Sequence, residues 1–342
     1  MSQRPFSESS PRARFIVSLM SARVLQLIGV VLSLTLVSSA LHAAPAGVND
    51  YPMSPHQVAE GVYAVVTPTR ELPNPDNKGW NSNSAFVVTG DGVLVFDTGS
   101  SEVIGQALRR TIREVTDQPV RWVVVSHGHG DHWLGNAAFA APGVEIIASP
   151  QVAEHMRTDG ERWVGEFDRM TQGATGTSRI VPASTIVDAR TRQVLGDTEV
   201  VILPSGGAHS PGDLLVWLPE RRVLLAGDVI YSERMPSTFA ADLRQWIAVL
   251  EDIQAFEPTP DVVVAGHGGV TDMAGVRRLH SLLSDLWTAV QTGYDSGKAD
   301  FEMVPDVRRA LAEYRDDYPG LDEKLQRDIG HVYLQVEAAA FE

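Results

Sequence analysis

The sequence predicts a layered α/β domain, and three observations support this fold class. Short runs of β-branched and aromatic residues, typical of buried strands, recur along most of the chain. Between them lie longer segments whose apolar residues repeat at helical spacing. The strand-rich blocks and the helices form two similar halves, which is the pattern of sheets layered with helices. With 342 residues, the chain is long enough to bury a large core without disulfide bonds.

In the first half we expect a strand, a hairpin of two strands, a helix and a further buried strand. The dipeptide Asp91-Gly92 marks the hairpin turn, because it readily adopts the tight turns that join antiparallel strands. Ser100 or Ser101 is suited to cap the first turn of the helix. These elements cover, in order, residues 61–66, 84–89, 92–97, 101–117 and 120–125.

The second half repeats this alternation and ends in a helix with a polar face. Its strands are expected over 144–148, 199–203, 213–218, 222–226 and 261–265, and its helices over 242–256, 272–292 and 303–317. Stretches rich in proline or glycine at 67–83 and 157–181 predict long loops. Together with the segment 231–240, these loops would form the walls of a pocket.

The first 43 residues are typical of a secretory signal peptide. A basic leader with four arginines precedes an uncharged apolar run over 24–40, and the small residues Ala43 and Ala44 then suit a signal peptidase. We therefore expect a mature protein that is periplasmic or secreted and has no stable membrane span. The alternative is an uncleaved signal that anchors the protein to the membrane.

Composition excludes several function classes. The formal net charge is -15, from 28 basic and 43 acidic residues, so a nucleic-acid partner is not expected. The absence of cysteine excludes disulfides, thiolate metal ligands, cysteine nucleophiles and iron–sulfur clusters. A serine hydrolase is not indicated either, because the chain has no G-x-S-x-G motif; Ser205, in Pro204-Ser205-Gly206, lacks the leading glycine.

The most informative motif is His127-x-His129-x-Asp131-His132, which follows the strand 120–125 directly. Imidazole nitrogen and carboxylate oxygen are ligands that zinc and similar ions favour. A turn after a strand can direct alternate side chains to one point, and intervening glycines let the backbone fold tightly around it. The pattern predicts that His127 and His129 share one ion, while Asp131 and His132 face a second.

Three later residues occupy similar positions in the chain. His209, Asp228 and His267 each follow or end an apolar strand and have glycines beside them. Each residue alone is compatible with a solvated turn or a cap. Sites in layered α/β folds gather at strand ends on one edge of a sheet, however, and this makes all three candidate metal ligands.

These segments resemble the metallo-β-lactamase superfamily of dinuclear metal hydrolases. The order HxHxDH, then His, Asp and His, matches the family's ligand set, and the likeness extends over about 61–269. Asp97-Thr98-Gly99 resembles the family's early Asp-Thr-Gly turn, in which the aspartate is structural. The resemblance implies a four-layer αββα sandwich of two mixed β-sheets flanked by helices. The expected division is a signal peptide (1–43), an N-terminal extension (44–60), a hydrolase domain (61–300) and a packed C-terminal helical extension (301–342).

The resemblance also implies a role for each candidate ligand. The first ion would be held by His127, His129 and His209, the second by Asp131, His132 and His267, and Asp228 would bridge the two. Two Zn²⁺ per chain are expected, although iron or manganese suits the same ligands. No organic cofactor is expected.

The aspartate at 228 stands where zinc β-lactamases with a cysteine ligand carry a thiolate, so the chain is more similar to the glyoxalase II and lactonase branches. Within the superfamily, it most resembles exported zinc hydrolases associated with sulfur-oxidation and quinoprotein gene sets. That likeness depends on the predicted signal peptide, on Asn81-Ser82-Asn83-Ser84, and on Gly227-Asp228 followed by Glu233-Arg234-Met235-Pro236.

The implied activity is hydrolysis of an ester-like acyl bond in a small molecule: a lactone, a thioester or a β-lactam. A hydroxide shared by the two ions would attack the carbonyl. Asp131 would orient that hydroxide and transfer its proton to the leaving group. Tyr231 is a second candidate catalytic residue, because some lactonases of the superfamily use a tyrosine three residues after the bridging aspartate; an ordinary buried aromatic is its alternative role.

Two other functions are compatible with the same fold. One is an iron enzyme of the persulfide dioxygenase type, although that branch uses fewer ligands than the seven found here. The other is a non-catalytic periplasmic protein that binds a metal or a partner. The sequence specifies neither the acyl substrate nor the oligomeric state.

Overall fold

A computed structural model describes residues 45–341. The whole of the predicted signal peptide (1–43) therefore lies outside the described residues. Twelve strands and seven α-helices make up the described part of the chain. The strands are β1 (Pro55–Ala59), β2 (Val62–Val65), β3 (Ser84–Val88), β4 (Val93–Phe96), β5 (Val120–Val124), β6 (Glu145–Ala148), β7 (Thr185–Ile186), β8 (Thr191–Leu195), β9 (Thr198–Pro204), β10 (Leu214–Leu218), β11 (Val223–Tyr231) and β12 (Val262–His267).

The helices follow the strands of each half and cover their outer faces. They are α1 (Glu102–Val115), α2 (Gly130–Trp133), α3 (Pro150–Met170), α4 (Leu243–Gln254), α5 (Met273–Asp295), α6 (Asp300–Ala310) and α7 (Leu321–Ala339). Ser101 caps α1 by accepting a hydrogen bond from the backbone N–H of Ile104, as the sequence predicts. Asp242 and Asp272 cap α4 and α5 in the same way.

Both sheets are mixed. The first has seven strands in the order β1-β2-β3-β4-β5-β6-β7; the pairs from β1 to β4 are antiparallel and those from β4 to β7 are parallel. The second has five strands in the order β12-β11-β10-β9-β8, and only β11 and β12 are parallel. The Asp91-Gly92 turn joins the antiparallel strands β3 and β4, as predicted.

Three hydrophobic clusters define four layers. Between the sheets, side chains such as Leu94 and Val216 are fully buried. The outer face of the first sheet packs against α1 and α3, for example through Leu108 and Met156. The outer face of the second sheet packs against α4, α5, α6 and α7. The architecture is the αββα sandwich that the sequence implies, because each sheet buries one face on its partner and the other under helices.

Two predicted segments differ from the structure. The expected loop over 157–181 is wrong in its first part, because α3 continues to Met170. The prediction was wrong because Gly160 weakens a helix. Glycine occupies this position inside α3 since an added Cβ would lie only 2.9 Å from Cδ1 of Ile180. The helix expected over 303–317 begins earlier, at Asp300, and ends at Ala310.

The structure also contains elements that the sequence did not indicate. These are β1, which pairs with β2, and β8, which pairs with β9. Helix α7 lies within the expected C-terminal helical extension, and its apolar side chains pack into the cluster that covers the second sheet. The division of the chain into domain and extensions stays a prediction. Within the described part of the chain, none of the helices is long and apolar enough to cross a membrane.

Candidate metal centre

The segment after β5 carries four of the candidate ligands into the edge between the two sheets. Its start is held by Asp97, whose carboxylate accepts hydrogen bonds from the backbone N–H of Ser126 at 2.8 Å and from its hydroxyl at 2.7 Å. The chain then turns into the short helix α2, which contains Asp131 and His132. This arrangement puts the histidines at the end of a parallel strand, where the sequence places them.

His209 lies in the loop between β9 and β10. The carboxylate of Asp213 shapes this loop by accepting hydrogen bonds from the backbone N–H groups of Ala208 at 3.1 Å and Ser210 at 3.0 Å. Burial raises the pKa of Asp213 to about 7, although these hydrogen bonds oppose the shift. The loop thus presents His209 from a fixed backbone, and the histidine itself is fully buried.

Asp228 and His267 come from the neighbouring parallel strands β11 and β12. The register of this pair shifts around Gly227, whose φ of +52° lies in the left-handed region. A side chain there would also collide with Ser126. Gly266 is needed for a different reason, since a Cβ at this position would overlap Oδ1 of Asp228. Glycine at both positions therefore lets the two strands bring their ligands close together.

The first group consists of His127, His129, His209 and Asp228. Nδ1 of His129 lies 3.0 Å from Nε2 of His127 and 3.0 Å from Nε2 of His209. Oδ2 of Asp228 lies 3.7 Å and 3.5 Å from the same two Nε2 atoms. One nitrogen from each ring and one carboxylate oxygen therefore surround a common point.

The second group consists of Asp131, His132 and His267. Oδ2 of Asp131 lies 3.7 Å from Nε2 of His132 and 3.5 Å from Nε2 of His267. Asp228 adjoins this group as well: its Oδ1 is 3.2 Å from Nε2 of His132 and its Oδ2 is 3.2 Å from Nε2 of His267. The carboxylate of Asp228 is thus placed between the two groups.

The chemistry of these donors fits a pair of metal ions. Nε2 of His132 and Oδ1 of Asp228 are buried and have no hydrogen-bond partner among the described residues, and a buried polar atom without a partner is costly. Three imidazole nitrogens that face one another also cannot all be satisfied by sharing protons. Divalent cations would satisfy these atoms together, and nitrogen with carboxylate oxygen is the donor set of zinc.

The electrostatics of the cluster favour neutral imidazole at the first group. Burial lowers the pKa of His127 well below its usual value and that of His209 to about 3. At the second group, burial opposes the charged form of His132, yet the carboxylates beside it, that of Asp228 above all, raise its pKa well above the usual value. Asp228 stays ionised, because the imidazoles lower its pKa well below the usual range despite its burial.

Several candidate ligands are held in place by residues outside the cluster. Nδ1 of His132 lies 2.8 Å from Oδ2 of Asp97, which matches the structural role expected of that aspartate. Nδ1 of His127 lies 2.9 Å from the hydroxyl of Ser126. The side-chain amide of Asn81 donates to Oδ2 of Asp131 at 2.8 Å. Such outer contacts fix the orientation of ligands at metal sites.

Tyr231 is buried at the end of β11 and contacts the cluster directly. Its hydroxyl donates a short hydrogen bond to Oδ2 of Asp228, and its ring stacks on His267 with 5.2 Å between centroids. Burial, together with the charge of Asp228, raises the pKa of Tyr231 well above its usual value. The phenol therefore keeps its proton at neutral pH and can donate it in a hydrogen bond.

A cavity of about 260 Å³ opens above the cluster. His129, Asp131, Asp228, Tyr231 and His267 line its floor. Its walls come from the predicted loops 67–83 and 231–240, from α3 and from α7. A small molecule in this cavity would contact both groups of candidate ligands.

The structure brings all seven predicted ligands and Tyr231 together, and it adds residues that sequence reasoning did not select. Asn81 and Arg234 both contact Nδ1 of His267, at 2.8 Å each, and Arg327 of α7 lines the cavity. Both 81 and 234 fall in segments on which the family resemblance depends, but no local pattern connects them to a histidine far along the chain. Arg327 lies on the exposed side of α7 and has no sequence signal of its own.

Comparison with protein families identifies one match. Residues 77–267 match the model of the metallo-beta-lactamase superfamily. The matched range includes β3 to β12 and all seven candidate ligands, while α5, α6 and α7 lie beyond it.

Three curated relatives show the range of similar proteins. A metallo-beta-lactamase of Chryseobacterium indologenes is 24% identical over 56% of this chain and 73% of its own length. A type 2 metallo-beta-lactamase of a Bacillus strain is 22% identical over 56% of this chain and 68% of its own length. A linear primary-alkylsulfatase of a Pseudomonas strain is 24% identical over 71% of this chain, which spans only 54% of that relative.

Solved structures show the same fold. A metallo-beta-lactamase from Pontibacter korlensis superposes with a TM-score of 0.56 at 21% identity, covering 68% of this chain and 99% of the other. A metallo-beta-lactamase of Pseudomonas aeruginosa in its mono-zinc form gives a TM-score of 0.55 at 20% identity, covering 68% and 96%. At these identities the likeness concerns the fold.

Proposed function

Since the chain belongs to the metallo-beta-lactamase superfamily, we propose that it is an exported dinuclear zinc hydrolase that cleaves an ester-like acyl bond. The observation that carries this proposal is the position of Asp228 between two groups of buried donors, at the floor of a cavity. His127, His129 and His209 would hold one ion, and Asp131, His132 and His267 the other. A pair of bound divalent ions would lower the pKa of a water molecule toward neutrality and polarise the scissile carbonyl.

The protein's own residues would position the reaction. Asp131 is ionised, because the neighbouring imidazoles of His132 and His267 lower its pKa despite its burial. The side-chain amide of Asn81 donates a hydrogen bond to Oδ2 of Asp131. This contact fixes the carboxylate so that it can accept a proton at the cavity floor. That proton would then pass to the leaving group.

Tyr231 would serve as a hydrogen-bond donor beside Asp228. It remains protonated, and its ring is fixed by contacts with His267 and, at 5.7 Å between centroids, with His209. In the structure its hydroxyl is directed at the carboxylate of Asp228. A donor at this position would hold the bridging carboxylate in one orientation or stabilise charge that develops on a substrate oxygen.

Substrate class is the part of the proposal that an assay can resolve. We would measure acid release by the zinc-loaded chain lacking residues 1–43, with and without chelator, against a lactone, a thioester and a β-lactam. An alkyl sulfate joins the panel because the alkylsulfatase relative matches the largest share of the chain among the relatives described above. Each reaction liberates an acid, so one readout covers all four substrates.

The proposal expects chelator-sensitive acid release from at least one acyl substrate. The variant His129→Ala should lose both metal and activity, whereas His56→Ala should retain both, because His56 is exposed on β1. Two bound ions without release from any acyl substrate would contradict acyl hydrolysis. Export would be tested separately: the N-terminus of the protein recovered from the periplasm or medium should lie near residue 44, and an intact N-terminus would contradict cleavage.

A further inference from the structure

Arg234 is a buried cation next to the metal centre, and the acyl-hydrolysis account leaves it unused. Its exposed fraction is only 6%. Within the part of the chain that the structure describes, its Nε atom has no hydrogen-bond partner, and its one polar contact joins Nη1 to Nδ1 of His267 at 2.8 Å. A guanidinium offers five N–H donors, so this residue is far from satisfied.

The contact with His267 does not compensate the charge. Nδ1 of His267 also lies 2.8 Å from the backbone carbonyl oxygen of Asn81. One ring nitrogen either donates to that carbonyl or accepts from the guanidinium, and it cannot do both. When it donates to Asn81, Arg234 is left without an acceptor. In the other tautomer, four of its five N–H groups still lack one.

No carboxylate of residues 45–341 pairs with Arg234. Of the three carboxylates that line the cavity, Asp131 and Asp228 belong to the metal cluster, and Glu166 lies 3.4 Å from Nη1 of Arg162. A second buried cation lies in the same region: the pKa of Lys324 is lowered to about 8, mainly by burial and next by Arg234. An unpaired buried charge is strongly unfavourable, so this position suits a bound anion.

The cavity brings a second arginine to the same space. Arg327, from α7, lines the cavity together with Arg234, and half of its side chain is exposed. Its one ion pair among residues 45–341, with Asp328, is long at 3.4 Å. The helix that carries it is fixed to the loop of Arg234, because the hydroxyl of Thr238 donates to Asp328 at 3.0 Å and Nζ of Lys324 donates to the carbonyl oxygen of Met235 at 2.7 Å.

Much of the remaining cavity wall is apolar, and its polar members are Asn81, Glu166 and Ser237. Leu72 and Phe239 stand at the mouth with exposed fractions of 56% and 74%. Trp163, Phe167 and Met170 of α3 line the cavity as well. A ligand that matches both walls has a hydrophobic body and one anionic group.

We propose that Arg234 and Arg327 bind an anionic oxygen group, a carboxylate or a sulfate, on a substrate whose apolar body lies against α3 and the cavity mouth. The planar guanidinium suits either anion through paired hydrogen bonds. This inference rests on the proposed function, since it names the class of molecule that the same cavity takes. It assigns a specificity role to α7, which lies outside the range that matches the family model.

Equilibrium binding tests the anion site without relying on turnover. The zinc-loaded chain lacking residues 1–43 would be titrated with 4-phenylbutanoate, 3-phenylpropyl sulfate and the neutral 4-phenylbutanamide. Both anions, or the one that the site prefers, should bind at least about tenfold more tightly than the amide. In Arg234→Met this preference should disappear, whereas in the control Arg157→Gln, on the exposed side of α3, it should remain.

Metal content and thermal unfolding of each variant would be recorded alongside, because Arg234 touches a candidate ligand. If Arg234→Met fails to fold, the test uses Arg327→Gln, because an exposed residue can be replaced without unfolding the chain. The preference of this variant for the anion over the amide should fall by about threefold. Equal binding of anion and amide by the parent chain would overturn the proposal. So would a preference that survives in the folded variants.

Turnover gives a second test, which separates this inference from the proposed function. Benzylpenicillin and its methyl ester, or the thioesters S-benzoyl thioglycolate and S-benzoyl thioglycolamide, share one scissile bond and differ in one charge. In whichever pair is hydrolysed, the anion should have the higher kcat/KM because its KM is lower. Arg234→Met should remove this difference. If no acyl bond is hydrolysed, the proposed function fails while the binding test still decides the anion site.

Discussion

The hydroxyl of Tyr231 donates a hydrogen bond to Oδ2 of Asp228, the oxygen that also lies 3.2 Å from Nε2 of His267 and 3.5 Å from Nε2 of His209. A donor from the protein therefore shares one carboxylate oxygen with imidazoles of both metal-binding groups. This relationship makes Tyr231 a positioning residue for the bridging carboxylate, in addition to its packing against His267.

Replacement of this donor is the first prediction. Tyr231→Phe keeps the ring but removes the hydrogen bond to Asp228, and we expect acyl hydrolysis to fall by about tenfold with metal content unchanged. Steady-state kinetics and elemental analysis on the same preparation would check it. Activity equal to that of the parent chain would show that Tyr231 is an ordinary buried aromatic.

The bridging position gives the second prediction. Asp228→Asn keeps the shape but removes the charge between the two groups, so we expect fewer than two ions per chain and a loss of activity of at least about a hundredfold. Far-ultraviolet circular dichroism should show an intact fold. A variant with two bound ions and near-parental rates would refute the bridging role.

Asp97 tests the support of a ligand from outside the cluster. Its Oδ2 lies 2.8 Å from Nδ1 of His132, and its Oδ1 accepts from the backbone N–H of Ser126. We predict that Asp97→Asn weakens zinc binding by about 10- to 100-fold, the usual effect of losing such a contact. Competition with a chromogenic chelator would measure the affinity, and an unchanged value would show that His132 needs no such support.

The buried Lys324 predicts a pH dependence of stability. Its pKa is lowered to about 8 in the folded protein, chiefly by burial. The pKa of a lysine in an unfolded chain is about 10.4. Between these values the unfolded chain holds a proton that the folded chain has released. The free energy of unfolding should therefore rise with pH across this window and gain nothing from Lys324 below it.

Urea unfolding of Lys324→Met between pH 7 and pH 10.5 should lack that rise. The control is Lys298→Met, which replaces a lysine that pairs with Asp306 on the surface. This variant should retain the rise in the free energy of unfolding. Parallel curves for Lys324→Met and the parent chain would contradict the lowered pKa.

Local sequence patterns predicted the strands well because most strands of this fold are buried on both faces. Runs such as 85–88 and 262–265 are apolar along their whole length, and glycines just after them mark where the apolar run ends. The ligands were predictable for the same reason: each lies within, at the end of or shortly after such a strand. The half-exposed strand β8, by contrast, has no continuous apolar run to identify it.

Features that depend on contacts between distant segments were not predictable from patterns. Gly160 suggested a loop, yet it lies inside α3 because Ile180 packs against it. The significance of Arg234 lies in its burial beside His267 and in its missing acceptor. Only the folded chain shows these relationships, since no spacing in the sequence records them.

The dinuclear mechanism can be tested by returning zinc stepwise to the metal-free chain. Bound zinc and acid release would be measured at each step. We expect each chain to bind two zinc ions. The rate of acyl hydrolysis should rise with zinc occupancy and reach its plateau when both groups of ligands are filled. Hydrolysis that proceeds at full rate without zinc would contradict the account, and so would a chain that fills both groups and never cleaves the acyl bond.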